Sequence, residues 1–585
     1  LFPDLFSPVV RPENVPSGLT VFPQRTLALI GGEINLEGAT LSALSGQIEV
    51  AAIDKGIVRF EGLNNFNYNQ VLSWKDINLR SKSAIDSRGL GGGGIKLSGR
   101  NVLLREESLL LMQNFGEQPT GNIVINASNK LHLFGDALTR NSSSGILIQS
   151  LGNGQGGNLK IVAPQIILEG GAEIGTKTYS NALGGNVEIQ GDVLDLSGFS
   201  RQNSDKITGL AVLTLGTGQG GNINISSNQV KLNDGASIVT GTLGLGNAGN
   251  IQVDADSIAL SKANPLSPIT RLGSTSFAQG NSGNVILETN QLSISQGSVI
   301  ASVTLTQGNA GDVKIRANDF IKMFDSRSER TQRLELSASF SNPKTTFSGL
   351  IVSASALLPS TINNLFNQPK GNSGNVIIET PNLLLLDRGV ISVGNLGTGD
   401  GGAIEINTSS LKLDNVSFIT SATLSGNGGN ISILSDDIQL LRNSGILSTA
   451  GGLGNGGNIF IEAKKGIIIL DDSRIEANAF EGNGGNVSIK TQTLVSDVSS
   501  SVTASSELGI DGTIEIQVPE SGQLNMSTSD IQLLNQDKEL LASCLNRPTQ
   551  INQIILSGNG GLPKKPDESI GEFPLLSLPE EESWS

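Results

Sequence analysis

The stretch Gly428-Gly429-Asn430-Ile431-Ser432-Ile433 recurs in altered form along the chain, most regularly between residues 371 and 513. Asn375-Val376, Asn430-Ile431, Asn458-Ile459 and Asn486-Val487 each follow a glycine and open a short alternating run. Ala403-Ile404 and Thr513-Ile514 hold the same place. The spacings from 375 to 513 are 28, 27, 28, 28 and 27 residues. A fixed period of that size marks a solenoid.

Apolar residues sit at constant distances from each anchor. After Asn222 they are Ile223, Ile225, Val230, Leu232 and Ile238; after Asn158 they are Leu159, Ile161, Ile166, Leu168 and Ile174. Apolar residues two apart lie on one side of a strand. Each repeat therefore reads as three short strands with turns between them, and leaves no room for an amphipathic helix. One such turn cannot bury its apolar side alone, whereas a stack of turns can. The fold class predicted is all-β, a single-stranded right-handed parallel β-helix with turns of about 28 residues.

The corners carry Gly156-Gly157-Asn158, Gly184-Gly185-Asn186 and Gly220-Gly221-Asn222. Glycine reaches positive φ at low cost and Asn tolerates it, so positive φ is expected at these corners. The Asn residues either exchange hydrogen bonds between turns or serve only their own turn.

Of 585 residues, 73 are Gly, against a usual share of roughly 7%. Aromatic residues are 4%, which suits a narrow aliphatic interior. The formal charge is −15, and no basic cluster suited to nucleic acid is evident. Cys544 and His132 are the only residues of their kinds, so neither an internal disulfide nor a Cys–His metal cluster can form. No stretch approaches the length of a transmembrane helix.

Taken in order, residues 1–60 begin Pro-rich and settle into short strands from Leu27. Residues 61–93 are less regular, and Asn64 to Asn69 read as a loop. The main shaft spans 94–518, with anchors from Gly94 to Thr513. Gaps of 36, 36 and 34 residues alternate with gaps of 28 between 94 and 312. The gap of 63 residues from Asp312 to Asn375 is two turns with an insertion, or one turn with a large excursion near 325–370. Residues 519–560 read as a C-terminal cap and 561–585 as a flexible tail rich in Pro and Glu.

The glycine runs lack the strand–turn–helix setting of a nucleotide site. Gly397-Thr398-Gly399-Asp400-Gly401-Gly402 faintly resembles a Ca²⁺-binding nonapeptide but lacks its repeated acidic position. Asp436-Asp437 and Asp471-Asp472 offer weak cation ligands at most. An enzyme acting on polysaccharide would need acidic and basic side chains clustered on one exposed sheet beside a groove. Asp234, Asp254, Asp387 and Asp414 form no such cluster by their spacing. Outward positions are expected to be mostly Ser, Asn, Thr, Gln and Lys. No catalytic, cofactor or metal residue is assigned, and no cofactor is expected.

Pro16-Ser17-Gly18-Leu19-Thr20-Val21, the run from Leu27 to Gly38, Ile48-Glu49-Val50-Ala51 and Gly558-Asn559-Gly560-Gly561-Leu562-Pro563 carry a likeness. With the Gly-Asn repeats they make the chain resemble the filamentous-haemagglutinin-like exoproteins of cyanobacteria. On that resemblance residues 1–60 are the remnant of a secretion domain. Its Asn-Pro segment and preceding signal peptide are missing, so a chain truncated at its N-terminus is expected. The resemblance implies two-partner secretion through an outer-membrane β-barrel transporter. It also implies a place outside the cell or on the outer membrane, and an adhesin-like role toward a cell surface or glycan. The expectation is a non-enzymatic exoprotein; the alternatives are a polysaccharide lyase or hydrolase, and a passive envelope component.

Overall fold

A computed structural model describes residues 8–9, 18–62, 65–135, 143–203, 206–262, 269–325, 370–395 and 397–519, and the backbone of 348–353 and 523–526. Among these residues every regular element is a strand, and the chain is a parallel β-helix. Ile223–Asn233 shows why. It pairs in parallel with Val187–Ser197 on one side and Ile251–Ser261 on the other, with Ile223 opposite Ile251. Ile223, Ile225, Val230 and Leu232 point inward and are at most 3% exposed. Ile238 supplies the third side of the interior from Ser237–Thr242. These columns join one continuous aliphatic core from Leu27 to Ala504.

The three strands expected per turn are in most turns two. The first two faces share one bent strand of about eleven residues, as in Ile223–Asn233, Val376–Leu386 and Ile404–Asp414. The bend shows as two consecutive outward residues, Asn228 and Gln229, where the alternation slips phase. Residues at the bend skip the pairing ladder, as Asn228 does between Ser227 and Gln229. Pro164 and Pro381 occupy this bend, where the missing N–H costs no ladder bond. At Pro164 the bent strand divides, into Leu159–Val162 and Gln165–Glu169, and it divides again near the two ends of the stack, as in Val487–Thr491 and Leu494–Asp497. The third face is a sheet of 16 strands among the described residues.

At the corners ahead of Asn158, Asn186, Asn222 and Asn250 the glycines do not use positive φ, contrary to expectation, although Gly91, Gly92 and Gly93 ahead of Gly94 do. Gly157, Gly185, Gly221 and Gly249 all lie outside that region. Their constraint is close approach. A Cβ on Gly185 would overlap the carbonyl oxygen of Gly157, and one on Gly221 that of Gly185. Positive φ occurs instead at the corner between the second and third faces, often on two residues running: Asp387-Arg388, Asn415-Val416 and Arg442-Asn443. Val416, with φ 64°, is β-branched and bears the largest conformational cost of these.

The Asn residues do link turns. The backbone N–H of Asn186 donates to Asn158 Oδ1 at 2.9 Å, Asn222 to Asn186 at 2.8 Å and Asn250 to Asn222 at 2.8 Å. Asp312 continues the ladder and accepts from Asn375 at 2.9 Å. A second ladder runs three residues earlier, through Asn247, Asn281 and Asn309. The acceptors are side-chain oxygens and the principal donors are backbone amides.

Three segments refine the sequence reading. Val313 pairs directly with Val376, so the 63-residue gap is one turn with an excursion. Its strand Ser348–Ser353 joins the third face; the rest of 326–369 lies outside the described residues. Gln47–Phe60 leaves the stack at Ile53 and forms an antiparallel hairpin with Phe66–Trp74, so Phe66 to Asn69 are strand, not loop. The third face departs from the expected polar exterior. Leu111, Leu147, Leu213, Val239 and Phe418 alternate with core residues and lie outside the inner core cluster, yet are at most 5% exposed. Residues 527–585, including Cys544, lie outside the described residues.

Gly185→Ala should destabilise the stack by about 3 kcal/mol in urea unfolding, because backbone must move. Gly31→Ala, which meets open space, should stay within about 0.5 kcal/mol of the parent. Asn222→Ala removes one inter-turn acceptor and should cost about 1 kcal/mol. Asn222→Asp, which keeps the acceptor as Asp312 does, should cost clearly less in the same measurement.

Candidate functional site

The bend residues are skipped by the strand register, and their side chains line a groove. Pro164, Asp192, Asn228 and Asp256 follow one another on successive turns and line a cleft of about 450 Å³ with Gln190, Ser226 and Asp254. Asn228 Nδ2 donates to Asp192 Oδ1 at 3.3 Å, and Asn290 Nδ2 to Asp256 Oδ1 at 3.2 Å. The row thus alternates carboxylate and amide along the axis.

Beside the groove, the same turns place charged side chains on the outer side of the second face. Ile167, Asp195 and Lys231 are register partners there, and His132 stands opposite Ile167. His132 Nε2 lies 2.6 Å from Glu169 Oε1. Burial pushes the Asp195 carboxyl above its ordinary value; Lys231 opposes that shift and Glu169 adds to it. On the first face Lys160 pairs with Glu188 at 2.6 Å. The arrangement offers carboxylates, an amide, an imidazole and an ammonium to a polyhydroxylated ligand. The groove lining holds no aromatic side chain.

Of the acidic residues singled out from the sequence, only Asp254 reaches this groove. Asp387 Oδ1 accepts from Asn415 Nδ2 at 2.7 Å. Asp414 is nearly buried and held below the usual carboxylate range by Arg442 at 2.6 Å, with Lys412 helping. Asp234 lies at a positive-φ corner. These three serve the corner between the second and third faces. Asp400 takes an Asn place in the second ladder, accepting from the Asn427 N–H at 2.9 Å. Asp436 pairs with Lys464 and Lys465 at 3.1 and 3.4 Å. Asp471 and Asp472 occupy a positive-φ corner. Among the described residues no three His, Cys, Asp or Glu side chains converge as metal ligands.

No family model, curated protein or solved structure matches the chain.

The sequence held a signal for part of the cluster: Asp195 and Lys231 stand nine residues after Asn186 and Asn222. His132 was hidden, because an irregularity between Ala127 and Lys130 shifts its offset by one.

Asp195 sets a pH dependence. Its folded pKa is raised, so the folded state binds the proton more tightly than the unfolded chain. Its burial therefore costs nothing below the ordinary value and weakens the fold as pH rises through the raised value. Asp195→Asn should match the parent in thermal melts near about pH 3 and exceed it in Tm at about pH 7. An equal difference at both values would contradict the assignment.

Proposed function

We propose that this chain is a secreted or cell-surface β-helical exoprotein with an adhesin-like role, exported by two-partner secretion. The observation carrying this reading is the stacking itself. Backbone pairing in the shaft runs almost wholly between adjacent turns. Such a chain can fold turn by turn as it emerges from an outer-membrane barrel, and each new turn templates the next. The likeness at Pro16 to Val21 and Leu27 to Gly38 points the same way.

A rod of this kind presents rows of Asn, Ser and alternating charge along one axis, and many weak contacts on such rows act together. The groove from Pro164 to Asp256 is the place where a glycan would engage. A specific observation favours a second reading. Asp195, Glu169, His132 and Lys231 gather on one sheet beside that groove, as a polysaccharide-cleaving site would require.

A glycan array and whole-cell binding assay with the intact chain separates the two. The adhesin reading expects binding that falls about tenfold in Asp192→Ala with Lys231→Ala and releases no sugar fragment. Release of fragments that is lost in Asp195→Asn would put the enzyme first. No binding to any glycan or cell would remove the adhesin reading.

A further inference from the structure

From Leu109–Asn114 to Ser237–Thr242 the outer side of the third face is largely shielded from solvent, and at one point the described residues show what lies on it. In Leu109–Asn114 and Gly145–Ser150 every residue is buried. Leu110, Met112, Ile146 and Ile148 face the inner core. Leu111 and Leu147 face outward at 0% and 4% exposure, flanked by Gln113 and Gln149 at 4% and 0%. An outward Gln on a solvent face has no reason to be covered.

Pro8 and Val9 lie there, half-buried. The Val9 N–H donates to Gln149 Oε1 at 3.1 Å. Gln113 Nε2 donates to the Val9 carbonyl at 2.7 Å and to Gln149 Oε1 at 2.7 Å. Both backbone groups of one residue are thus held by two side-chain amides. An amide side chain offers a peptide what a neighbouring strand would offer, and it reads backbone rather than side chain. The floor of Leu111 and Leu147 adds a preference for apolar side chains.

We propose that Gln113 and Gln149, with Leu111 and Leu147, form a binding site for an extended apolar peptide. Its resident is the chain's own Pro8–Val9 segment, which acts as a strap over the third face. The fit is incomplete: Gln149 Nε2 is buried without a partner. A buried unpaired donor is a standing penalty that a further carbonyl would relieve. The strap is therefore an internal ligand that a better-placed extended segment displaces, uncovering or reusing the same floor.

The test uses the full chain and a fluorescent peptide of residues 4–14. Val9→Pro removes the N–H that Gln149 accepts and leaves the shaft unaltered. The variant should bind the peptide about tenfold more tightly than the parent in fluorescence anisotropy. Adding Gln113→Leu and Gln149→Leu to it should abolish that binding, with unchanged Tm. In the unsubstituted chain, hydrogen exchange at the Val9 amide should be about tenfold slower than for a free amide. Equal peptide binding by the parent and Val9→Pro, or Val9 exchange at the free rate, would overturn the proposal.

Discussion

The structure depends on how closely one turn approaches the next at the glycine corner. The carbonyl of Gly157 points at the α-carbon of Gly185, and that of Gly185 at Gly221, leaving no room for a side chain. This approach sets the separation of the turns there. The Asn residue that follows then sits within 2.9 Å of the next backbone amide, which is why its side-chain oxygen bridges turns. The aliphatic columns stack at the same separation, so Ile223 lies over Val187 and under Ile251. Ladder and core are two consequences of one contact.

The corner between the second and third faces obeys a looser rule. Its residues adopt positive φ with side chains as different as Asp387, Arg388, Asn415 and Val416. It takes extra chain where the glycine corner mostly does not. Lengthened connections run from Phe134 to Gly145, Ser197 to Gly209, Ser261 to Arg271 and Phe324 to Ser348 at this corner, and one, from Ser353 to Val376, lies at the glycine corner. A ladder that ties one Asn to the next turn leaves little slack for insertion, whereas the open corner, held by bonds that differ from turn to turn such as Asn415–Asp387 and Gly235–Thr270, tolerates a loop leaving between them. Variation between turns is thus directed mainly to one edge of the rod.

The periodic part of the fold was legible because it is local. Offsets of one, three, eight, ten and sixteen from Asn222 name the inward columns without any knowledge of contacts. What was illegible depends on other turns. The glycines looked like φ-driven residues because a single corner shows no neighbour; their constraint exists only in the stack. The burial of the outward Leu111 and Phe418 was illegible where a polar exterior was expected, since a sequence does not say that a strand is covered on both sides. The charged cluster was half visible: Asp195 and Lys231 share an offset, but His132 reaches Glu169 only through a register shift.

Registration of the turns needs a device beyond the core. A slip of one residue would turn every apolar side chain outward and is excluded by burial. A slip of two would keep the alternation, and columns of similar Ile, Val and Leu would scarcely resist it. Exposed pairs such as Lys160–Glu188 and Glu462–Lys490 add little, because solvent screens them. The glycine corner does resist. A two-residue slip moves a side chain under the carbonyl where only Gly185 fits and takes Asn186 away from Asn158 Oδ1. Repeated Gly-Asn is therefore the register mark of the stack. The faces between the marks are left free to differ, as they do at the groove from Pro164 to Asp256.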